Sequence, residues 1–292
     1  MQYIGEIAAL ATAFCWALSI VYFKRLGGSF SPLALNLWKG LISIVGLTLI
    51  VAFSEVSIPA LTPILWLLLS GVIGIGIGDT AFFAGLNRLG ERNALLVAET
   101  LAPIFTALLA IVWISEWLTP LQWLAIGVIL FGVDIVLRCK NASDSQVKPS
   151  FSGLSFAAIA ALCQAAGAVI GRDVLTTTDI DPITASLIRL VGGLSIIVIV
   201  LVVTRRTWLP TQPSGAKTWW LLFIATFTGT FIAMTLQMFA FSKAQAAIVQ
   251  SLFAGSIIFS LIIARLQGQF ISNKAVIGSL IAITGIALIF VL

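Results

Sequence analysis

The chain has 292 residues, of which 60% are apolar and only 9% are charged, and its mean hydropathy is +1.13. Because soluble domains are about 45–50% apolar and about 25% charged, this composition excludes a soluble enzyme. The formal net charge is +5, but the Lys and Arg residues are scattered singly between apolar runs. We therefore interpret them as topology signals and expect no nucleic-acid partner.

The apolar sequence divides at charges, prolines and Gly-Ser clusters into ten candidate membrane crossings. Each is close to the roughly 20 residues that span the hydrocarbon core of a bilayer. The runs lack the alternating polarity of barrel strands, so we expect an all-α integral membrane protein. The first run has no basic start and no Ala-x-Ala cleavage pattern, which favours a retained helix over a signal peptide. In chain order the predicted helices cover residues 4–23, 33–53, 64–86, 93–113, 119–137, 153–171, 182–203, 218–240, 246–264 and 274–291.

The first half of the sequence recurs in the second half. Gly5 and Cys15 of the first helix reappear as Gly153 and Cys163, about 148 positions later. Further matches in the same order are Lys24 with Arg172, Ser31-Pro32 with Asp181-Pro182, Lys39 with Arg189, and Trp66 with Trp220. The predicted division is a first five-helix repeat at 1–138, a polar linker at 139–151 and a second five-helix repeat at 152–292.

An odd number of helices per repeat means that the second copy is inverted in the membrane. The basic residues agree, because most of them, including Arg88, Arg138 and Arg205, fall on the side that holds the linker. By the positive-inside rule the linker is cytoplasmic and both termini are periplasmic. Inverted repeats are typical of transporters, with a binding site near the midplane between the halves. We therefore expect ten transmembrane helices as two inverted five-helix repeats around a central cavity.

Several motifs resemble one transporter family. They are the Pro-started second helix with a basic residue about seven positions on, Glu99-x-x-x-Pro103 in the fourth helix, and Glu116 followed by Gly127 and Gly132. Over the whole chain the sequence resembles EamA-type members of the drug/metabolite transporter superfamily, in particular the ten-helix exporters of aromatic amino acids. The resemblance implies a basket of helices around a central cavity, alternating access, and export across the bacterial inner membrane.

The second copy departs from this pattern. Gln250 stands where Glu99 does, Ala254 replaces Pro103, and Gln267 replaces Glu116. Acidic roles of the first copy are therefore not duplicated.

Charged residues inside spans are costly and are candidates for function. Lys39, Asp79 and Glu99 all lie roughly 10–12 Å below the cytoplasmic surface, at 1.5 Å per residue. We predict that Lys39 approaches Asp79 or Glu99, as a static ion pair, a moving gate or a proton site. Arg189 is the counterpart of Lys39 near the outer face, where snorkelling to the periplasmic surface is the simpler interpretation.

Two positions are candidate hinges. Pro103 removes a backbone hydrogen bond from the fourth helix, and Gly255 softens the ninth. The glycines of the third helix, including Gly71 and Gly74, favour close helix packing.

A cavity for an amphiphilic substrate needs polar groups at mid-depth beside aromatic walls. The candidates chosen by depth are Thr12, Trp16, Phe82, Phe83, Thr100, Gln164, Met234, Gln237, Ser251 and Ser256.

The leading functional prediction is a secondary transporter that exports small amphiphilic metabolites, most of all aromatic or neutral amino acids, with the lipid bilayer as its surroundings. The alternatives are export of other metabolites or cationic drugs by proton antiport, a membrane enzyme, or a non-transporting scaffold. The sequence contains no histidine and no nucleophile–base pair within the spans, so we expect no catalytic residues, no metal and no cofactor. Phosphate esters are disfavoured because Lys39 and Arg189 are few and lie toward opposite faces.

Overall fold

The computed structural model describes residues 3–26, 29–54, 59–89, 91–139, 150–210 and 215–291. Within these ranges all regular structure is helical. The helices form ten successive spans, which confirms the predicted all-α fold.

The first repeat contains helices α1 (Ile4–Leu26), α2 (Pro32–Phe53), α3 (Leu61–Leu89), α4 (Glu91–Ile114) and α5 (Pro120–Cys139). The second repeat contains α6 (Phe151–Thr177), α7 (Pro182–Val203), α8 (Ala216–Lys243), α9 (Ala246–Leu266) and α10 (Asn273–Ile289). Among the described residues, nine spans are long and apolar enough to cross a membrane. The tenth, α10, has 17 residues and is about 25 Å long at 1.5 Å per residue.

Local sequence explains where α2 and α7 begin. The Ser31 hydroxyl accepts a hydrogen bond from the backbone N–H of Ala34, and the Asp181 carboxylate accepts two, from Ile183 and Thr184. A proline follows each capping residue at the first helical position, where its missing N–H costs nothing. The two caps occupy equivalent places in the two repeats.

The two repeats share a further irregularity that the sequence analysis did not predict. A π-helical stretch interrupts α3 at Val72–Ile77, and another interrupts α8 at Phe227–Ile232. In contrast, α9 breaks between Phe253 and Ser256, whereas its counterpart α4 runs without interruption through Pro103. Ala254, which stands in the place of Pro103 in the second copy, therefore lies at a helix break, whereas Pro103 itself lies in a continuous helix.

Packing between the repeats follows a pseudo-twofold axis. α3 packs against α7 just as α2 packs against α8, and α4 packs against α6 as α1 packs against α9. The α2–α7 and α5–α10 contacts are their own counterparts. This is the arrangement expected of inverted repeats.

The two ends of the bundle are named here by what they hold. The terminal face contains both chain ends, since the ring of Tyr3 lies 5.5 Å from that of Phe290. The linker face contains the end of α3 and the start of α6, where Arg88 lies 4.6 Å from the ring of Phe156.

The α5–α10 contact tests how strictly the packing depends on glycine. A methyl group added at Gly132 would overlap backbone atoms of Ala282, whereas one at Gly127, on the same helix, meets nothing within 4 Å.

We expect Gly132→Ala to destabilise the protein by about 1–3 kcal/mol through overpacking. Gly127→Ala should be neutral or stabilising, because Ala has the higher helix propensity. Thermal unfolding of both variants in detergent measures the difference. Equal melting temperatures would show that α5 and α10 do not pack this closely.

Candidate functional site: a cavity between the repeats

A cavity of about 290 Å³ lies between the two repeats. Helices of both repeats line it, and both π-helical stretches contribute, through Gly74 and Ile75 of α3 and through Gly229 and Thr230 of α8. A π-helical turn shifts the register of the side chains that follow it and is common at functional sites. The shared irregularity therefore shapes the cavity on both sides.

Half of the predicted substrate residues line this cavity. Those present are Trp16, Phe82, Gln164, Met234 and Gln237. The five that lie outside the lining are Thr12, Phe83, Thr100, Ser251 and Ser256. The hydroxyls of Thr12 and Ser251 donate to carbonyls one turn back on their own helices, those of Ala8 and Ala247. In this arrangement they offer no free donor to a ligand.

The structure brings Lys39 and Asp79 together, as one of the two predicted pairings requires. Their charged atoms, Nζ and Oδ2, are 3.9 Å apart, and the side chains are 28% and 35% exposed. The Asn36 amide, which the sequence analysis missed, donates to the same Asp79 oxygen at 3.1 Å. Asn36 lies three residues before Lys39 on one face of α2, and this spacing is the signal that could have identified it.

Glu99 lines the cavity on α4 but joins no ion pair or hydrogen bond with the described residues. Of the two predicted pairings of Lys39, the one with Asp79 forms an ion pair among the described residues, and the one with Glu99 does not. Glu99 is therefore the carboxylate of the cavity that has no such partner among the described residues.

Arg189 does not snorkel to the surface, contrary to the expectation from the sequence. It is only 3% exposed and lines the same cavity as Lys39. The cause is the close packing of α3 on α7, because a methyl at Gly71 would overlap the carbonyl oxygen of Arg189 and one at Gly192 would overlap that of Leu68. The Arg189 side chain therefore lies next to α3, inside the bundle.

The cavity is closed more tightly at the terminal face than at the linker face. The second half of α8, Ala233–Lys243, packs against α6 and α7. Its counterpart in α3, Gly78–Leu89, packs far less against the described parts of α1 and α2 and meets α2 through the contacts of Asp79. The two symmetry-related cations differ in the same direction, since Lys39 is partly exposed and Arg189 is buried.

An ion pair closes the terminal face. Arg172 Nε donates to Glu116 Oε1 at 2.7 Å, and both side chains are about 15% exposed or less. Arg172 Nη1 also donates to the carbonyl oxygen of Phe241 at 2.6 Å, and the backbone N–H of Ala246 donates to Glu116 Oε2 at 2.9 Å. These bonds tie the ends of α4, α6 and α8 to the start of α9.

The sequence analysis identified Glu116 only as part of a motif and Arg172 only as the repeat counterpart of Lys24. The signal that could have paired them is their equal depth, since both lie near the terminal-face ends of α4 and α6. α6 continues to Thr177, six residues beyond its predicted end at 171, so Arg172 lies within the helix.

The fold and the cavity define a multi-pass membrane protein of two inverted repeats around a central cavity. The family description "EamA-like transporter family" matches residues 3–138 and, separately, 151–291. The chain belongs to this family, within the drug/metabolite transporter superfamily, and is therefore a membrane transporter of small metabolites.

One solved crystal structure, described only as that of a protein, aligns with a TM-score of 0.82 at 15% sequence identity and covers 100% of this chain and 98% of that chain. At this identity the likeness concerns the fold. No match was found among curated proteins.

We expect the two ion pairs to differ in strength. The Glu116–Arg172 pair is shorter and less exposed, so a double-mutant cycle with Glu116→Gln and Arg172→Gln should give a coupling of more than about 1 kcal/mol. The cycle with Asp79→Asn and Lys39→Gln should give less, at most about 1 kcal/mol. Thermal unfolding in detergent provides both values. A larger coupling for the Lys39 pair would contradict the geometry.

Proposed function

We propose that this protein is a secondary transporter that exports small amphiphilic metabolites, in particular aromatic or neutral amino acids, by alternating access. One observation carries the proposal: the cavity between the inverted repeats combines charged and amide groups with the aromatic rings of Trp16 and Phe82. Such a lining suits a ligand with one polar end and one apolar end.

The asymmetry of the two faces supports a substrate path from the linker side. In the present conformation a substrate enters between α2 and α3, where Lys39 and Asp79 are partly exposed. Export then requires the Glu116–Arg172 pair to separate and the linker face to close. Gln267 occupies the place of Glu116 in the second repeat, so the closed linker face has no equivalent carboxylate at that position.

Pro103 and Gly255 remain our proposed hinges for this exchange. At the break in α9 the backbone N–H groups of Gly255, Ile257 and Ile258 donate to carbonyls three residues back rather than four, and such breaks absorb changes in backbone angle. Pro103 lies four residues after Glu99, so bending there would move that carboxylate. In this proposal the two repeats, 1–138 and 152–292, are the units that move, and residues 139–151 link them.

A second candidate function follows from Glu99. A carboxylate without a cationic partner among the described residues also suits a cationic drug, or a proton that is exchanged for substrate. Both variants of the transporter use the same cavity. They differ in whether an amine without a carboxylate is transported and in whether a pH gradient accelerates flux.

We propose that the linker face is cytoplasmic, with both termini periplasmic in a bacterial inner membrane. The basic residues at that face, such as Arg88 and Arg138, follow the positive-inside rule. Cys139 ends α5 at this face, whereas Cys15 and Cys163 lie within spans.

An impermeant thiol reagent should therefore label Cys139 in lysed cells much faster than in intact cells, because the membrane shields it from outside. Gel-shift of the labelled protein measures the rate. Cys139→Ser is the control and should abolish the fast labelling. Equal rates in intact and lysed cells would reverse the proposed orientation.

Liposomes that contain the purified protein should take up labelled Trp, Phe or Leu at least several times faster than empty liposomes, and unlabelled substrate should compete. Flux of a sugar phosphate in place of every amino acid would overturn the substrate class. Absence of any flux, with the protein folded, would favour a scaffold or an enzyme instead.

A further inference from the structure

The charges of the cavity divide into one contacting pair and two single groups. Lys39 and Asp79 form an ion pair with their charged atoms 3.9 Å apart, and the Asn36 amide donates a hydrogen bond to the same Asp79 oxygen. Arg189 and Glu99 line the same cavity, and neither has an oppositely charged partner among the described residues. The cavity therefore presents one cation and one anion to a ligand.

The Arg189 guanidinium is buried in the bundle, and its N–H donors have no strong hydrogen-bond acceptor among the described residues. The residue is 97% buried. Among the described residues its Nε has no hydrogen-bond partner, and the one partner of the side chain is Met238, whose sulfur lies 3.3 Å from Nη1. A thioether is a weak acceptor for a guanidinium. Burying such a group is costly, so an unpartnered arginine inside a membrane bundle marks a place for an anionic ligand.

Two glycines lie next to this guanidinium group. A methyl at Gly74 would come within 3.5 Å of Nη2, and one at Gly171 within 3.5 Å of Nη1. Gly74 belongs to the π-helical stretch of α3. The Arg189 side chain lines the cavity, and the fork of donors on a guanidinium matches the two oxygens of a carboxylate.

We propose that Arg189 binds the carboxylate of the transported substrate and Glu99 its ammonium group, so that the cavity selects zwitterionic amino acids over amines and over simple carboxylic acids. This assignment rests on the proposed transport function and specifies which side chain of the cavity binds each end of the ligand. Trp16 and Phe82, which share the lining, then cover the side chain.

The charge balance explains the selectivity. A zwitterion neutralises both single groups at once, whereas an amine leaves Arg189 unpaired and a carboxylic acid leaves Glu99 unpaired. Leaving a charged site group desolvated and unpaired lowers affinity more than a lost contact alone. A phosphate ester brings two negative charges to one free cation and is disfavoured for the same reason.

The experiment compares three ligands with one aromatic ring: phenylalanine, phenethylamine, which lacks the carboxylate, and 3-phenylpropionate, which lacks the amine. Competition against labelled phenylalanine on the purified full-length protein gives their affinities. For the wild type we expect phenylalanine to bind about ten- to a hundredfold more tightly than either analogue. Equal affinity for phenylalanine and phenethylamine would overturn the assignment of Arg189 without any variant.

Two variants then exchange the preferences. Arg189→Met should weaken phenylalanine about ten- to a hundredfold and change phenethylamine by less than about threefold. Glu99→Gln should do the reverse, weakening phenylalanine and sparing 3-phenylpropionate. Arg206→Gln, an exposed arginine just beyond the end of α7, is the matched control and should leave all three affinities unchanged. A variant that weakens all three ligands equally would show a structural role and overturn the proposal.

Stability provides a second readout. Because Arg189 is buried without a charged partner, Arg189→Met should melt at or above the wild-type temperature while it loses affinity for phenylalanine. A strongly destabilised variant would contradict an unpaired guanidinium. If wild-type liposomes transport no amino acid, the proposed function fails; if they transport phenylalanine and the ligand pattern above is absent, only the assignment of Arg189 and Glu99 fails.

Discussion

The close approach of α3 to α7 is the contact on which the rest of the site depends. Neither Gly71 nor Gly192 has room for a methyl group, because the carbonyl oxygens of Arg189 and Leu68 occupy that space. With the backbones this close, lipid and water are both excluded between the helices. The contact joins the first repeat to the second, and it carries a charged side chain into the interior. A bulkier residue at Gly71 would displace that side chain along with the helix.

Inverted symmetry and its local failures together produce a cavity with a direction. The repeats share their caps, their π-helical stretches and their pattern of contacts. They differ at Glu99 and Glu116, which are Gln250 and Gln267 in the second copy. As a result, the terminal face has a partly buried ion pair, and the linker face has a glutamine in place of its carboxylate. A symmetric scaffold can therefore hold a substrate site whose two ends are chemically different.

The spans and the repeat were predictable because each depends on features that lie along the sequence. Hydrophobic length sets the number of crossings, and the Ser31-Pro32 and Asp181-Pro182 pairs set two helix starts through local hydrogen bonds. Equal depth also placed Lys39 near Asp79, since depth follows directly from the number of residues between a charge and the end of its helix.

Rotation of each helix about its own axis was not predictable, because a helix inside a membrane bundle is apolar on nearly every side and has no polar face to orient it. Gly127 and Gly132 therefore look alike in sequence, yet only Gly132 contacts another backbone. For the same reason Thr12 and Ser251 matched the depth of the cavity but lie outside its lining.

The sequence by itself determined ten apolar helices, their duplication and the depth of each charge, because these properties need only composition and counting. The tertiary structure decided which charges face one another. Arg189 and Lys39 lie at matching depths from opposite faces and looked separate in sequence, but the bundle brings both to one cavity. Which side chains share that space depends on how the repeats pack, and that packing is set by backbone contacts between residues distant in the chain.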